Sequence, residues 1–196
     1  MKKNILFITF CALSAFLILL QLDCSPKKEM TQEELVARGK YLVQFGGCND
    51  CHSPKVMTQM GPVPDTTKLL SGYPATQPVY PVEAGQVAPG KFVITNDESD
   101  IWAGPWGISF SANLTSDSAT GMGAWSLDNF ISTMRTGKHL GTGRMILPPM
   151  PWDGIGRLTD EDLKAIYTYL QTVPAVNNRV PAPIPPNMIS DNSKKK

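Results

Sequence analysis

Histidine is almost absent from this chain, with only His52 and His139 present. Cysteine is nearly as scarce: Cys11, Cys24, Cys48 and Cys51 are all there are. A structural zinc centre, which takes four Cys or His ligands, has too little to draw on. A basic surplus is missing too. Lys and Arg total 18 against 17 Asp and Glu, and setting aside Lys2, Lys3 and Asp23 of the N-terminal segment leaves 16 of each. A nucleic-acid footprint needs a clustered positive face, so that class of partner is excluded. The closing Lys194-Lys195-Lys196 reads as a solvated tail. No apolar run reaches the roughly 20 residues of a spanning helix. Glycine (16) and proline (17) are plentiful, which points to a chain rich in loops.

What apolar run there is lies at the start. Lys2-Lys3 is followed by Ile5 to Leu20, apolar apart from Thr9 and Ser14. That is the pattern of a signal h-region, and residues 1–23 are read as a signal or anchor segment. Cys24 follows directly, then Ser25-Pro26 and a polar stretch, so Cys24 is the candidate lipidated first residue of a lipoprotein. Gln21-Leu22-Asp23 is a poor lipobox, which keeps an uncleaved anchor and ordinary cleavage open. Each of these places the body outside the cytoplasm, on the periplasmic side of a bacterial membrane.

Two cysteines remain beyond that segment, both in Cys48-Asn49-Asp50-Cys51-His52. This is the C-x-x-C-H pattern of covalent haem attachment. Thiols three residues apart share one face of a helical turn, where both can add to the vinyl groups of one haem. The adjacent His52 then offers its imidazole to the iron as proximal ligand. A disulfide would suit an oxidising compartment but gives no reason for the histidine. A thioredoxin-like pair belongs inside a βαβ pattern, and none flanks this site. The expected cofactor is therefore one covalent haem c.

Around this motif the periodicity marks three helices. Thr31 and Glu34 form a capping box for a helix running to about Phe45 and stopping at Gly46-Gly47. Leu35, Val36, Gly39, Leu42 and Val43 share one face, and Gly39 suggests a close helix crossing. A shorter helix begins at Ser126, turns Phe130, Ile131 and Met134 inward, and closes at Gly137. The last starts at Thr159 with an acidic first turn, presents Leu163, Ile166, Tyr167 and Leu170, and is ended by Pro174. Between Ser53 and about Gly107 the chain reads as loop, with one short strand possible at Lys91–Thr95. So long a loop is unusual without function or local structure.

A six-coordinate iron needs a second axial group. Met57 and Met60 are too near the motif to reach the far face, Met122 and Met134 fit core packing, and Met188 lies in a Pro-rich tail. Met150 is favoured, because the prolines of Leu147-Pro148-Pro149-Met150-Pro151 stiffen its backbone. Closing a loop of about 100 residues costs roughly 4 kcal/mol, so rigid prolines and packed helices are expected to preplace it. Met145, His139 and an open site remain alternatives.

Several motifs in order resemble a known family, the class I c-type cytochromes, particularly those serving periplasmic alcohol and sugar-acid dehydrogenases. They are Arg38–Val43, Cys48–His52, Ser111–Asp117, Gly121–Ser126, Met134–Gly137, Pro149-Met150-Pro151, Leu158–Leu163 and Tyr169-Leu170. The resemblance implies an all-α cytochrome c fold with N- and C-terminal helices crossing near Gly39 and Tyr169, and Met150 as distal ligand. The chain departs from the family in its long 53–107 insertion and its single haem motif. The implied body is 31–177, with a tether at 24–30 and a Pro-rich, basic tail at 178–196.

The function expected from these residues is single-electron transfer between a dehydrogenase or respiratory complex and an acceptor such as an oxidase or another cytochrome, without catalysis of its own. A haem enzyme of peroxidase-like or sulfur-oxidising type, or a sensor of gas or small ligands, would require an open sixth site.

Overall fold

A computed structural model describes residues 28–189. The signal segment 1–23, the lipidation candidate Cys24 and Lys194–Lys196 lie outside the described residues. The chain divides between Thr31 and Gln32, and every element below belongs to the part that begins at Gln32. No helix among the described residues is long and apolar enough to cross a membrane.

Helix α1 spans Gln32–Phe45 and buries Leu35, Gly39 and Val43, the stripe its periodicity predicts. Gly47 takes the left-handed conformation (φ 64°) and turns the chain into a short helix α2, Cys48–His52. Helix α3, Leu127–Thr136, starts on a capping box in which Ser126 and Asn129 satisfy each other's backbone amides, and it ends on left-handed Gly137. A single turn, α4, covers Trp152–Ile155. Helix α5, Asp160–Leu170, is capped by Thr159 and stops four residues before Pro174.

The crossing of α1 and α5 is as close as Gly39 suggests. A methyl group there would overlap the Ala165 carbonyl and stand 2.7 Å from Tyr169 Cβ, so only glycine lets the two backbones meet. Arg38 Nε reaches Asp162 Oδ1 at 2.8 Å across the same crossing. Arg135 on α3 binds Asp160 at 2.5 Å and fastens the third helix to the pair. Between the helices lies one core of Val43, Leu70, Met122, Phe130, Met134, Leu163, Ile166, Leu170 and Val173. Met122 and Met134 are indeed core filler, as expected of unbranched, adaptable side chains.

The all-α expectation is overturned in the 53–107 segment. Lys55–Thr58 (β1) and Gly61–Pro64 (β2) form an antiparallel hairpin, with Lys55 opposite Pro64 and Thr58 opposite Gly61. Ile94–Thr95 (β3), Ile101–Gly104 (β4) and Gly107–Phe110 (β5) form a second, three-stranded antiparallel sheet in that order. The fold is mixed α and β. The strand expected at Lys91–Thr95 is only its last two residues.

The physical reason is a second core. Tyr73, Val87, Ile101, Ala103 and Ile108 are buried together, against Val82, Ile94, Phe110, Val180, Ile184 and Ile189. Ile101 and Ala103 face inward at the two-residue period of a strand, and a two-residue turn at Pro105-Trp106 brings Ile108 back opposite Ala103. A stretch this long holds a structure by burying apolar surface of its own.

Residues 178–189 complete that core. Ile184 bridges Ile108 through two backbone hydrogen bonds at 2.8 and 2.9 Å. Asn178 donates to the carbonyls of Ser71 (2.7 Å) and Tyr73 (2.9 Å) and accepts from the Ala75 amide (2.9 Å).

Candidate functional site

Cys48, Cys51 and His52 share the single helix α2, so the sequence itself fixes their order on one turn. Both cysteines are free thiols, half-buried. Burial pushes Cys48 up to about 11, and burial likewise raises Cys51, because a thiolate is poorly solvated there. Cys48 packs against the helical core.

The C-terminal end of α2 is closed by one side chain. Lys55 Nζ donates to the carbonyls of Asn49 (3.2 Å), Asp50 (2.9 Å) and Ser53 (2.6 Å). A cation there meets the negative end of the helix dipole. Ser53, fully buried, donates to Asn49 Oδ1 and accepts from the Leu70 amide, both at 2.8 Å.

His52 is buried and held at two points. Its carbonyl accepts the Gly72 amide at 2.7 Å, and its Nδ1 lies 2.8 Å from the Ala112 carbonyl. A carbonyl only accepts, so Nδ1 carries the proton and Nε2 keeps its lone pair. Burial lowers the His52 pKa, which favours the neutral imidazole. This is the ligand arrangement in which a second partner sets the tautomer and ring orientation. Two free thiols on one turn followed by a buried neutral histidine fit haem c: Cys48 and Cys51 would hold its vinyl carbons and His52 Nε2 its iron.

Met150 sits half-buried on the segment before α4. Its loop is fixed by Ser109 Oγ, which donates to the Pro148 carbonyl at 2.7 Å, and by the Trp152 amide, which donates to the Met150 carbonyl at 2.9 Å. Ser109 lies on β5, three residues before Ala112, so one strand and its continuation hold both the His52 imidazole and the Met150 loop. Met145, 47 % exposed, bridges Lys138. Met57 and Met60 lie out on the β1–β2 hairpin, Met60 98 % exposed. His139 stands on an exposed 3-10 turn, edge-on to the Trp125 ring at 5.0 Å between centroids.

Lys55, Ser109, Ala112 and Asn178 escape sequence reasoning. Only Lys55 carries a local signal, a cation just past a helix C-terminus. The others act through carbonyls and amides that only the fold brings together.

No family model matches the chain. Known proteins do. It is 29 % identical over 141 residues, 72 % of this chain, to the gluconate 2-dehydrogenase cytochrome c subunit of Pantoea cypripedii. It is 34 % identical over 88 residues, 45 % of this chain, to the fructose dehydrogenase cytochrome subunit of Gluconobacter japonicus. Over 137 residues, 70 % of this chain, it is 26 % identical to the cytochrome c subunit of the quinone alcohol dehydrogenase of Gluconobacter oxydans.

The chain resembles dehydrogenase cytochrome c subunits. This agrees with the resemblance its motifs carry, and it implies haem c. The cytochrome-like chain spans only 24 %, 16 % and 21 % of those relatives' lengths, so the likeness is to one part of each.

Proposed function

We propose that this protein is a mono-haem c-type cytochrome that passes single electrons between a dehydrogenase or respiratory complex and an acceptor on the periplasmic side of a bacterial membrane. Residues 31–177 form the haem-bearing body, residues 24–30 a tether, and Cys24 is the candidate for lipidation. The observation that carries the reading is His52, buried and neutral, its Nδ1 committed to Ala112 O at 2.8 Å, directly after two free thiols. When bound, haem supplies a one-electron iron couple that takes up and gives back charge without bond rearrangement.

The chain's own residues orient and enclose. Cys48 and Cys51 would hold the macrocycle through thioether bonds. Ala112 holds the His52 ring and so sets the direction of Nε2. Met150 would be the second iron ligand, on a backbone stiffened by Pro149 and Pro151 and anchored by the Ser109 bond to the Pro148 carbonyl. Were His52 and Met150 both to bind the iron, no coordination site would be left for a substrate, which favours electron transfer over catalysis. Dehydrogenase partners follow from the relatives, each a subunit of such an enzyme by name. An acyl chain on Cys24 would keep the carrier near its membrane partners, with stable anchoring requiring more than one chain.

The test is spectroscopic. The chain expressed with haem-attachment machinery is expected to gain the mass of one haem and to show a low-spin spectrum. A weak near-infrared sulfur-to-iron band should disappear in Met150→Ala and persist in Met145→Ala. Ready binding of carbon monoxide to the reduced wild type, or a high-spin oxidised form, would sink the closed-site reading and favour an enzyme or sensor.

A further inference from the structure

A carboxyl group lies buried beside the haem motif with no part in the arrangement just described. Asp100, at the start of β4's approach, is 0 % exposed. Its Oδ1 accepts Asn96 Nδ2 at 2.8 Å, and its amide donates to Asn96 Oδ1 at 3.2 Å. Its Oδ2 is buried and receives no hydrogen bond from any donor among the described residues. An unpartnered carboxylate oxygen in such a place is costly, by more than an ordinary lost hydrogen bond.

The groups around it offer no relief as they stand. Glu98 brings its own carboxyl within hydrogen-bonding reach of Asp100. Two carboxylates repel, and they bond only when one of them carries a proton. Lys55 faces Asp100 from β1, yet its ammonium is engaged by three carbonyls. Tyr73 faces it from the second core, but its hydroxyl donates to the carbonyls of Gln77 (3.2 Å) and Pro78 (3.0 Å). Asp97 acts on Glu98, and Tyr80 on Tyr73, both adding negative charge to the neighbourhood on ionising. Asp100 also acts on Cys51 of α2, which as a thioether would carry no charge. One proton shared between Glu98 and Asp100 would turn their repulsion into a hydrogen bond.

Asp100 is also tied to the haem motif through the backbone. Ser111 N donates to the Asp100 carbonyl and Ser111 O accepts from Tyr73 N, both at 2.9 Å. The next residue, Ala112, holds His52, and Gly72, beside Tyr73, donates to the His52 carbonyl at 2.7 Å. A charge that changed on an iron held by His52 would therefore be felt by Asp100 through a protein interior that screens it weakly.

We propose that Asp100, together with Glu98, is a redox-linked proton site, taking up one proton when an electron reaches the haem held by Cys48, Cys51 and His52. The inference rests on the haem reading above. One electron from a one-electron donor reduces iron(III) to iron(II), and one proton passes from solvent to the Glu98–Asp100 carboxyl pair; both return on oxidation. Burial already raises the carboxyl of Asp100 above the usual range, and burial does the same for Glu98. The proton therefore leaves at a higher pH than from an exposed acid, with the two redox states differing in affinity for it. The consequence is a potential that falls as pH rises.

The experiment is potentiometric titration of the haem-loaded full chain, followed by absorbance, between about pH 4 and pH 9, the range around the ordinary carboxylate values. A tenfold difference in proton affinity between the redox states lowers the potential by about 59 mV across that titration. Asp100→Asn is expected to keep the haem spectrum and abolish the slope, while Glu98→Gln shifts the pH at which the slope occurs. An infrared difference spectrum of the wild type, which needs no variant, should show a protonated carboxyl band appearing on reduction. A slope unchanged in both variants assigns the proton to another group, such as a haem propionate, and overturns the proposal. Loss of the wild-type slope on adding calcium, with no carboxyl band, makes the pair a cation site and overturns it equally. Absence of the haem mass overturns the haem reading itself, a result read before any potential is measured.

Discussion

The Nδ1 of His52 donates to the carbonyl of Ala112 at 2.8 Å, joining the helix that bears the two thiols to the end of a strand 60 residues further on. One hydrogen bond thus sets the direction of the ring and makes the second sheet part of the site. Asp100, Ser109, Ser111 and Ala112 all lie on β4, β5 or the segments that border them. The strands inserted into the helical frame are its means of holding the histidine.

Ser109→Ala removes the donor to the Pro148 carbonyl. A net loss of about 1 kcal/mol in stability is expected, the usual worth of one such bond. The sharper readout is the Met150 loop. On the proposed Met150 ligation, carbon monoxide should bind the reduced variant faster than the wild type in flash photolysis, since a looser loop would release the sulfur more often.

Gly39→Ala gains up to about 1 kcal/mol of helix propensity, but its methyl group would overlap the Ala165 carbonyl and press on Tyr169 Cβ. Overpacking of this kind costs about 1–3 kcal/mol. The two helices must separate, and urea unfolding should show net destabilisation. A variant as stable as the wild type would mean that the crossing is looser than described.

Asn178→Ala leaves the carbonyls of Ser71 and Tyr73 without their side-chain donor, in residues that are themselves buried. Buried polar groups left unsatisfied cost about 1–3 kcal/mol. Because Gly72 between them donates to the His52 carbonyl, the haem absorbance of the variant should melt at a lower temperature.

Asp117 gives the acid dependence. Hydrogen bonds from Thr120, hydroxyl first and then amide, hold its carboxyl below the ordinary range, and the Ala119 amide adds to them. A depressed folded pKa means the unfolded chain binds the proton first. This contribution is therefore fully present above the unfolded value of about 3.9 and lost as pH falls through the folded one. Asp117→Asn should lower stability at neutral pH and flatten its decline below about pH 4, measured as urea midpoints across pH.

Much of the helical frame could be read from the chain alone. Gly39 announced the crossing, Ser126 and Thr159 the two later helix starts, and Gly137 the end of the middle helix, because each is a local demand of backbone geometry or amide satisfaction. The sheets were less legible. Ile101, Ala103 and Ile108 alternate over too few residues, among too many prolines and glycines, to outweigh the loop signal around them. Their partners Val180, Ile184 and Ile189 sit in a stretch whose prolines suggested only a tail. Burial, the quantity that decides a short strand, is shared between segments some 80 positions apart and has no local signature.

For the site, the division follows covalent reach. Cys48, Cys51 and His52 were determined by the sequence, since three residues within one helical turn stand together whatever the rest of the chain does. Everything that conditions them came from the tertiary structure: the Ala112 carbonyl on His52, the Lys55 clamp on α2, the Ser109 hold on the Met150 loop, the buried carboxyl of Asp100. Backbone carbonyls are chemically identical at every position, and a carboxyl's burial depends on what folds over it. Residue identity encodes which groups are present; only packing decides which of them lose water and which meet.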